Sequence, residues 1–276
     1  MYRCVSPGAI GVNLSWEACL PLARDSGFEG VDVPLEEGVP GERYREALAR
    51  FHLKPGGTGF PVRVSEDRTA FEAQVSKLPA IAARAQAAGV SRFATWILSW
   101  SDTLPYRENF KLHAAQLGQA ARILQDHGCR LALEFLGPRS LREGHRYTFA
   151  HTIEQMLELG DAVGKNVGLL LDAYHWYTSL STLDQLRELE NRQVVYVHIN
   201  DAPGVPIEKQ QDQVRRIAGE GVAIDLPGFL SALRKIGYDG PVVPEPFVPE
   251  LGQMPPDKAM ARVGEGLKRV WDAAAR

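Results

Sequence analysis

Along this chain, short and nearly continuous apolar runs alternate with longer segments whose apolar residues recur at helical spacing. A strand buried on both faces, as in a parallel sheet, reads as such an uninterrupted run. On this pattern strands are expected near Val5–Ile10, Gly30–Pro34, Lys54–Phe60, Arg92–Leu98, Arg130–Phe135, Val167–Leu171, Val194–Ile199 and Pro241–Glu245. The first and third carry several glycines (Gly8 and Gly11; Gly56, Gly57 and Gly59), which suit a loop equally well. The segments between them carry helix signals. Ser15 is placed to cap a first helix that Gly27 ends, and a helix from Thr69 to Gly89 should kink at Pro79. Asn109 to His127 is helical in pattern and Gly128 stops it. Asp225 is placed to cap the seventh helix, with Pro227 in its first turn and Gly237 at its end, and Asp257 to cap the last.

Strict strand–helix alternation predicts an α/β fold, a (β/α)8 TIM barrel, and the length of 276 residues matches the roughly 250 that one barrel needs. A single domain over 1–276 is expected, because no Gly/Ser-rich linker or block of charge divides the chain. An open doubly wound sheet is the competing architecture, but no GxGxxG follows the first strand.

Composition narrows the partners. The net charge of −3 argues against a broad basic surface for nucleic acid. No apolar run is long enough to span a membrane, and the start, Met1 to Val5, contains no signal-peptide core. Cys4, Cys19 and Cys129 are few and scattered, which disfavours both disulfides and a cysteine zinc site and points to a reducing, cytoplasmic setting.

Four polar residues interrupt the apolar runs at the ends of strands five to eight: Glu134 in Leu133-Glu134-Phe135, Asp172 after Leu171, His198 in Val197-His198-Ile199, and Glu245 in Pro244-Glu245-Pro246. Taken singly, each carboxylate is as readily an ion-pair partner or a helix cap, and the histidine a satisfied core residue. In a barrel, however, all C-terminal strand ends converge on one mouth. Three carboxylates gathered in a poorly solvated cup require positive charge, since an isolated buried charge costs several kcal/mol. One divalent cation held by Glu134, Asp172, His198 and Glu245 supplies it and employs the histidine. Three oxygens and one nitrogen favour Mn²⁺, Mg²⁺ or Co²⁺, with Zn²⁺ also admissible, and leave positions open for substrate oxygens.

The Glu, Asp, His, Glu order on the last four strands, with Leu171-Asp172-Ala173-Tyr174-His175, Val197-His198-Ile199-Asn200-Asp201-Ala202, Arg215 to Gly221 and Glu245-Pro246-Phe247, resembles the xylose isomerase-like barrels, the sugar phosphate isomerase/epimerase group. That group includes ketose 3-epimerases, hydroxypyruvate isomerases, and inosose isomerases and dehydratases. The resemblance implies an isomerase or epimerase of a small polyhydroxy substrate, a sugar, sugar phosphate or cyclitol. Glu134 and Glu245 would act as the two catalytic carboxylates that remove and return a proton through an enediolate. It further implies that His175 faces the substrate, as the matching histidine does in one-metal relatives, and that Arg215 does so too. Ala218 stands where the family usually has proline, which should loosen that loop slightly. Relatives are often dimers or tetramers, so a homo-oligomer is compatible with the resemblance.

Several neighbours admit two readings. Arg216 is an equally charged alternative to Arg215, and Asp201 suits either a support for His198 or the arginine, or a turn. Trp96, Trp100 and Trp176 offer faces that suit the C–H face of a sugar, or packing under loops. Arg139, Arg142, His145 and Arg146 form a basic loop after strand five. The same metal site would equally serve a lyase, by dehydration of an inosose or elimination from a keto-glycoside. An endonuclease IV-type phosphodiesterase shares the barrel, but it draws extra histidines from early strands, and here only His52 precedes His113. A barrel that binds sugar without turning it over is the remaining reading.

Overall fold

The computed structural model describes residues 1–276. In chain order its barrel strands are β1 (Tyr2–Val5), β2 (Gly30–Val31), β3 in two pieces (Lys54–Pro55 and Thr58–Gly59), β4 (Arg92–Ile97), β5 (Arg130–Phe135), β6 (Val167–Asp172), β7 (Val194–Ile199) and β8 (Pro241–Pro244). All pair in parallel, in the spatial order 3-2-1-8-7-6-5-4, and the first piece of β3 lies against β2 while the second lies against β4. One interrupted strand therefore holds both ends of the ladder, and the sheet closes into a TIM barrel.

The interruption has a steric cause. A Cβ at Gly56 would lie 2.2 Å from Asp32 Oδ1, and one at Gly57 would lie 2.5 Å from Tyr196 Cε2. Gly56 and Gly57 are thus part of the barrel wall, thinned where Asp32, just past β2, and Tyr196 of β7 fill the interior. The first strand differs from expectation. It occupies Tyr2–Val5, and the glycine-bearing stretch after it is a 3₁₀ turn, Gly8–Ile10, closed by Gly11 at φ 73°. Pro7 has no N–H to give a ladder, so pairing cannot continue there.

The helices largely follow their signals. The segment from Thr69 to Gly89 is two helices, Arg68–Val75 and Leu78–Ala88, and Pro79 opens the second rather than kinking one. Asp67 caps the first of these, accepting from Thr69 N and Ala70 N. Ser15 stands at the N-cap of Trp16–Asp25 without a side-chain bond, whereas Asp225 caps Leu226–Lys235 through Gly228 N. The last helix, Pro256–Ala273, starts after Pro255, which leaves Asp257 in its first turn.

Inside the barrel, Tyr2, Cys4, Ala94, Ala132, Leu170, Tyr196 and Val243 form an apolar plug. Strand side chains alternate faces, so the next inward position lies two residues further toward the C-terminal end. Those positions are Trp96, Glu134, Asp172, His198 and Glu245. The remaining apolar surface packs between strands and helices. The three cysteines are buried and unpaired. No helix is long and apolar enough to cross a membrane.

Candidate metal centre

Ligand atoms of Glu134, Asp172, His198 and Glu245 all lie within 4.8 Å of one another. His198 Nδ1 is 3.3 Å from Glu134 Oε1, 3.4 Å from Glu245 Oε2 and 3.8 Å from Asp172 Oδ2. Donors about 2.1 Å from a single ion stand about 3 Å apart as neighbours and about 4 Å apart as opposites, so these residues fit a divalent cation with little movement.

The electrostatics of the cluster show how strongly it calls for positive charge. Burial pushes the Glu134 carboxyl up to about 7, against the opposing pull of His198. Burial would likewise raise Asp172, but the Arg215 guanidinium, with His175 and His198, holds it down at about 2. Glu245 also lies below the ordinary range, since His198 and Arg215 outweigh its burial. Burial alone would depress His198, yet Glu245 and Glu134 hold it well above the usual imidazole value.

Asp172 is the last residue of β6 and also the N-cap of the helix Ala173–Thr178. Its Oδ1 accepts from Tyr174 N at 2.6 Å and His175 N at 3.1 Å, which leaves Oδ2 directed into the cluster. There Oδ2 accepts from Asn200 Nδ2 at 3.0 Å and Arg215 Nη1 at 3.0 Å. Arg215 also donates from Nη1 to Glu245 Oε2 at 3.1 Å and from Nη2 to Asp212 Oδ1 at 2.7 Å. Its guanidinium carbon sits 4.9 Å from the Tyr174 ring and 4.4 Å from the Phe247 ring, a sandwich that fixes the plane of the fork. Arg215 is buried; Arg216 is exposed, and its backbone pairs with Asp201.

His175 is buried beside this fork. Gly137 N–H points at its Nδ1 from 3.2 Å. Burial pushes its pKa down to about 4, which keeps it neutral. Its Nε2 lies 3.2 Å from Arg215 Nη2, with Asp212 Oδ1 at 3.6 Å and Glu134 Oε1 at 4.0 Å, so the ring is wedged between the Gly137 amide and the edge of the guanidinium.

Trp96 lies beside Glu134 across the β4–β5 pairing and is 48% exposed, with Arg63 over its ring. Trp100 sits further out on a short antiparallel ribbon (Trp100–Ser101 with Tyr147–Thr148), stacked on His145 at 3.4 Å between ring centroids. Trp176 is in the core, donating Nε1–H to Thr182 O and packing on Phe229. Asp201 touches neither His198 nor Arg215; its Oδ1 accepts from Ala202 N and Ile224 N and holds a turn. In the basic loop, Arg139 pairs with Glu143, Arg142 donates to the Gly137 and Pro138 carbonyls, His145 meets Asp102, and Arg146 lies over Tyr147. Asn200, Asp212 and Gly137 were not singled out from the sequence. A polar residue ending an apolar strand, and an Asp three residues before Arg215, were the available signals for the first two.

A closed parallel barrel whose last four strands deliver two glutamates, an aspartate and a histidine to one point defines a class, and the chain belongs to it: a family model described as xylose isomerase-like TIM barrel matches residues 20–271. Among individual proteins, the inosose isomerase of Bacillus velezensis is 25% identical over 98% of this chain and 97% of its own. A xylose isomerase domain protein from Alicyclobacillus acidocaldarius superposes with a TM-score of 0.87 at 30% identity, covering both chains fully. An IolI protein crystallised with a zinc atom superposes with a TM-score of 0.82 at 24% identity over 100% of this chain and 98% of that one.

Proposed function

We propose that this chain is a divalent-metal-dependent isomerase or epimerase that moves a proton next to the carbonyl of a polyhydroxy ring or chain. The observation that carries this reading is the placement of Glu134 and Glu245 on the two outer strands of the β5–β8 group, 3.3 Å and 3.4 Å from the same His198 nitrogen. A substrate carbon seated over the centre lies between two carboxylates, one able to take a C–H proton and the other to return one. Return on the opposite face gives an epimer; return at the neighbouring carbon gives an aldose–ketose isomer. A cation held by Glu134, Asp172, His198 and Glu245 would polarise the substrate carbonyl and acidify the adjacent C–H. The chain's own groups do the rest. The His175 ring lies against Arg215 beside the centre and faces the substrate, and Arg215 holds Asp172 and Glu245 in place and adds positive charge at the substrate's oxygen-rich edge. Trp96 presents a ring face at the mouth. The names of the relatives, an inosose isomerase among them, support a carbohydrate or cyclitol substrate.

Incubation of metal-loaded protein with ketoses and inososes in D₂O tests this. Deuterium should enter one defined carbon, and Glu134→Gln and Glu245→Gln should each remove that exchange, because an amide is no base near neutral pH. A placed proton-transfer group contributes on the order of 10²–10⁴ in rate, so full exchange in both variants would sink the two-carboxylate scheme. Loss of water or of a leaving group from the substrate would instead assign a lyase to the same centre.

A further inference from the structure

A cleft of about 600 Å³ is lined by none of the four candidate ligands. It opens where β3 and β4 part, and one of its walls is Trp96, the lateral neighbour of Glu134. The indole therefore borders both the cleft and the metal centre. A space of this size suits a ligand of more than one ring, since pockets of about 300–1,000 Å³ enclose drug-sized molecules.

The deeper walls are apolar, among them Phe60, Ile97, Leu104, Leu112 and Leu117. Two polar groups on the helix Tyr106–Asp126 break them. Asn109 is only 6% exposed, and its side chain makes no hydrogen bond within the protein. Asparagine is a poor helix former and caps nothing here, so neither helix stability nor capping accounts for it. His113, one turn further on, gives its Nδ1–H to the Asn109 carbonyl at 2.9 Å. That bond leaves Nε2 as a lone-pair acceptor, and burial keeps the ring neutral by lowering its pKa. An amide without a partner and an imidazole acceptor, set among apolar walls, are the few fixed polar groups of a small-molecule site. At the rim, Arg63 is outnumbered by Glu66 and Asp102, which disfavours a phosphate.

We infer that this cleft binds a hydroxylated aromatic ring that the substrate itself carries, its O–H donating to His113 Nε2 and accepting from Asn109 Nδ2. The inference rests on the proposed reaction for the other end of that molecule, a polyhydroxy ring bearing a carbonyl at the metal centre. The substrate class is then an aryl glycoside with an oxidised sugar, and the aryl group passes along the face of Trp96.

Equilibrium binding of glucosides that lack the carbonyl, and so cannot react, tests the cleft alone. In the metal-loaded protein, 4-hydroxyphenyl β-D-glucoside should bind at least about tenfold more tightly than methyl β-D-glucoside, and Asn109→Leu or His113→Phe should remove about tenfold of that affinity. Phenyl β-D-glucoside, which has no ring hydroxyl, should bind both variants as it binds the parent chain. Equal affinity for the hydroxyphenyl and methyl compounds would overturn the inference, as would unchanged binding of the hydroxyphenyl compound by both variants. Because no turnover is read, a protein that binds the aryl compound as described but exchanges no C–H overturns the assigned reaction and leaves the cleft's role standing.

Discussion

Asp172 divides its oxygens between two duties: Oδ1 caps the helix that carries His175, and Oδ2 faces Arg215 and the other ligands. The two duties separate by substitution. Asparagine caps a helix as well as aspartate does, so Asp172→Asn should fold with near-normal helix content yet lose metal. Elemental analysis beside circular dichroism checks this, and full metal content in a folded variant would remove Asp172 from the ligand set. Arg215 gives a complementary prediction. Without it, Asp172, Glu245 and Asp212 face one another with only His198 for compensation. Breaking a buried ion pair from one side costs about 3–5 kcal/mol, so Arg215→Ala should be destabilised by that order in chelator. Added Mn²⁺ or Zn²⁺ should restore part of the loss by replacing the missing positive charge. Melting curves with and without metal decide; an identical deficit in both would mean that Arg215 packs rather than compensates.

At the scale of elements, β4 to β7 were legible because each is an apolar run flanked by a helix signal, and the ligands were legible because each interrupts such a run near its end. β1 and β3 were not. Their short ladders, four residues and two pairs of residues, leave too little apolar pattern to separate strand from turn. What decides β3 is the bulk of Asp32, just past β2, and of Tyr196 on β7, which no local pattern records. Gly137 was missed for the same reason. Its Cβ would lie 2.3 Å from the His175 carbonyl and 2.5 Å from Thr178 Oγ1, so the loop after β5 lies directly on the helix Ala173–Thr178. Gly137→Ala should push the two apart and withdraw the N–H that anchors the His175 ring at Nδ1. A displacement of about 1 Å at a positioned group costs up to about 10²-fold in turnover. Exchange rates should therefore fall by about tenfold or more while metal content stays unchanged. Parent-like rates would show that His175 needs no such anchor.

For the molecule as a whole, the seam of the barrel at β3 is tied by one side chain. Asp32, just past β2, accepts from Gly57 N at 2.7 Å between the two pieces of β3 and from Tyr196 O–H at 2.6 Å on β7 across the interior. Burial raises its pKa from 3.8 to about 6, although the bonds from Tyr196 and Gly57 resist the rise. A carboxyl whose folded pKa lies above its unfolded value binds protons more tightly when folded. Its contribution is therefore most favourable below about pH 4 and declines as pH rises through about 6. Asp32→Asn cannot ionise and should lack this decline, with the amide keeping an acceptor for Gly57. In metal-stripped protein, the stability of the variant relative to the parent should improve between pH 4.5 and 7.5. A shift of this size is worth at most about 3 kcal/mol, and partial exposure of the carboxylate reduces the expectation to about 1 kcal/mol, roughly 2–4 °C in a protein this large. Taking the difference between the two proteins cancels the opposite trend from Asp172 and Glu245, whose depressed values weaken both proteins as pH falls. Melting temperatures that run parallel across this range would show that Asp32 holds the seam through its shape and hydrogen bonds alone, with its proton playing no part.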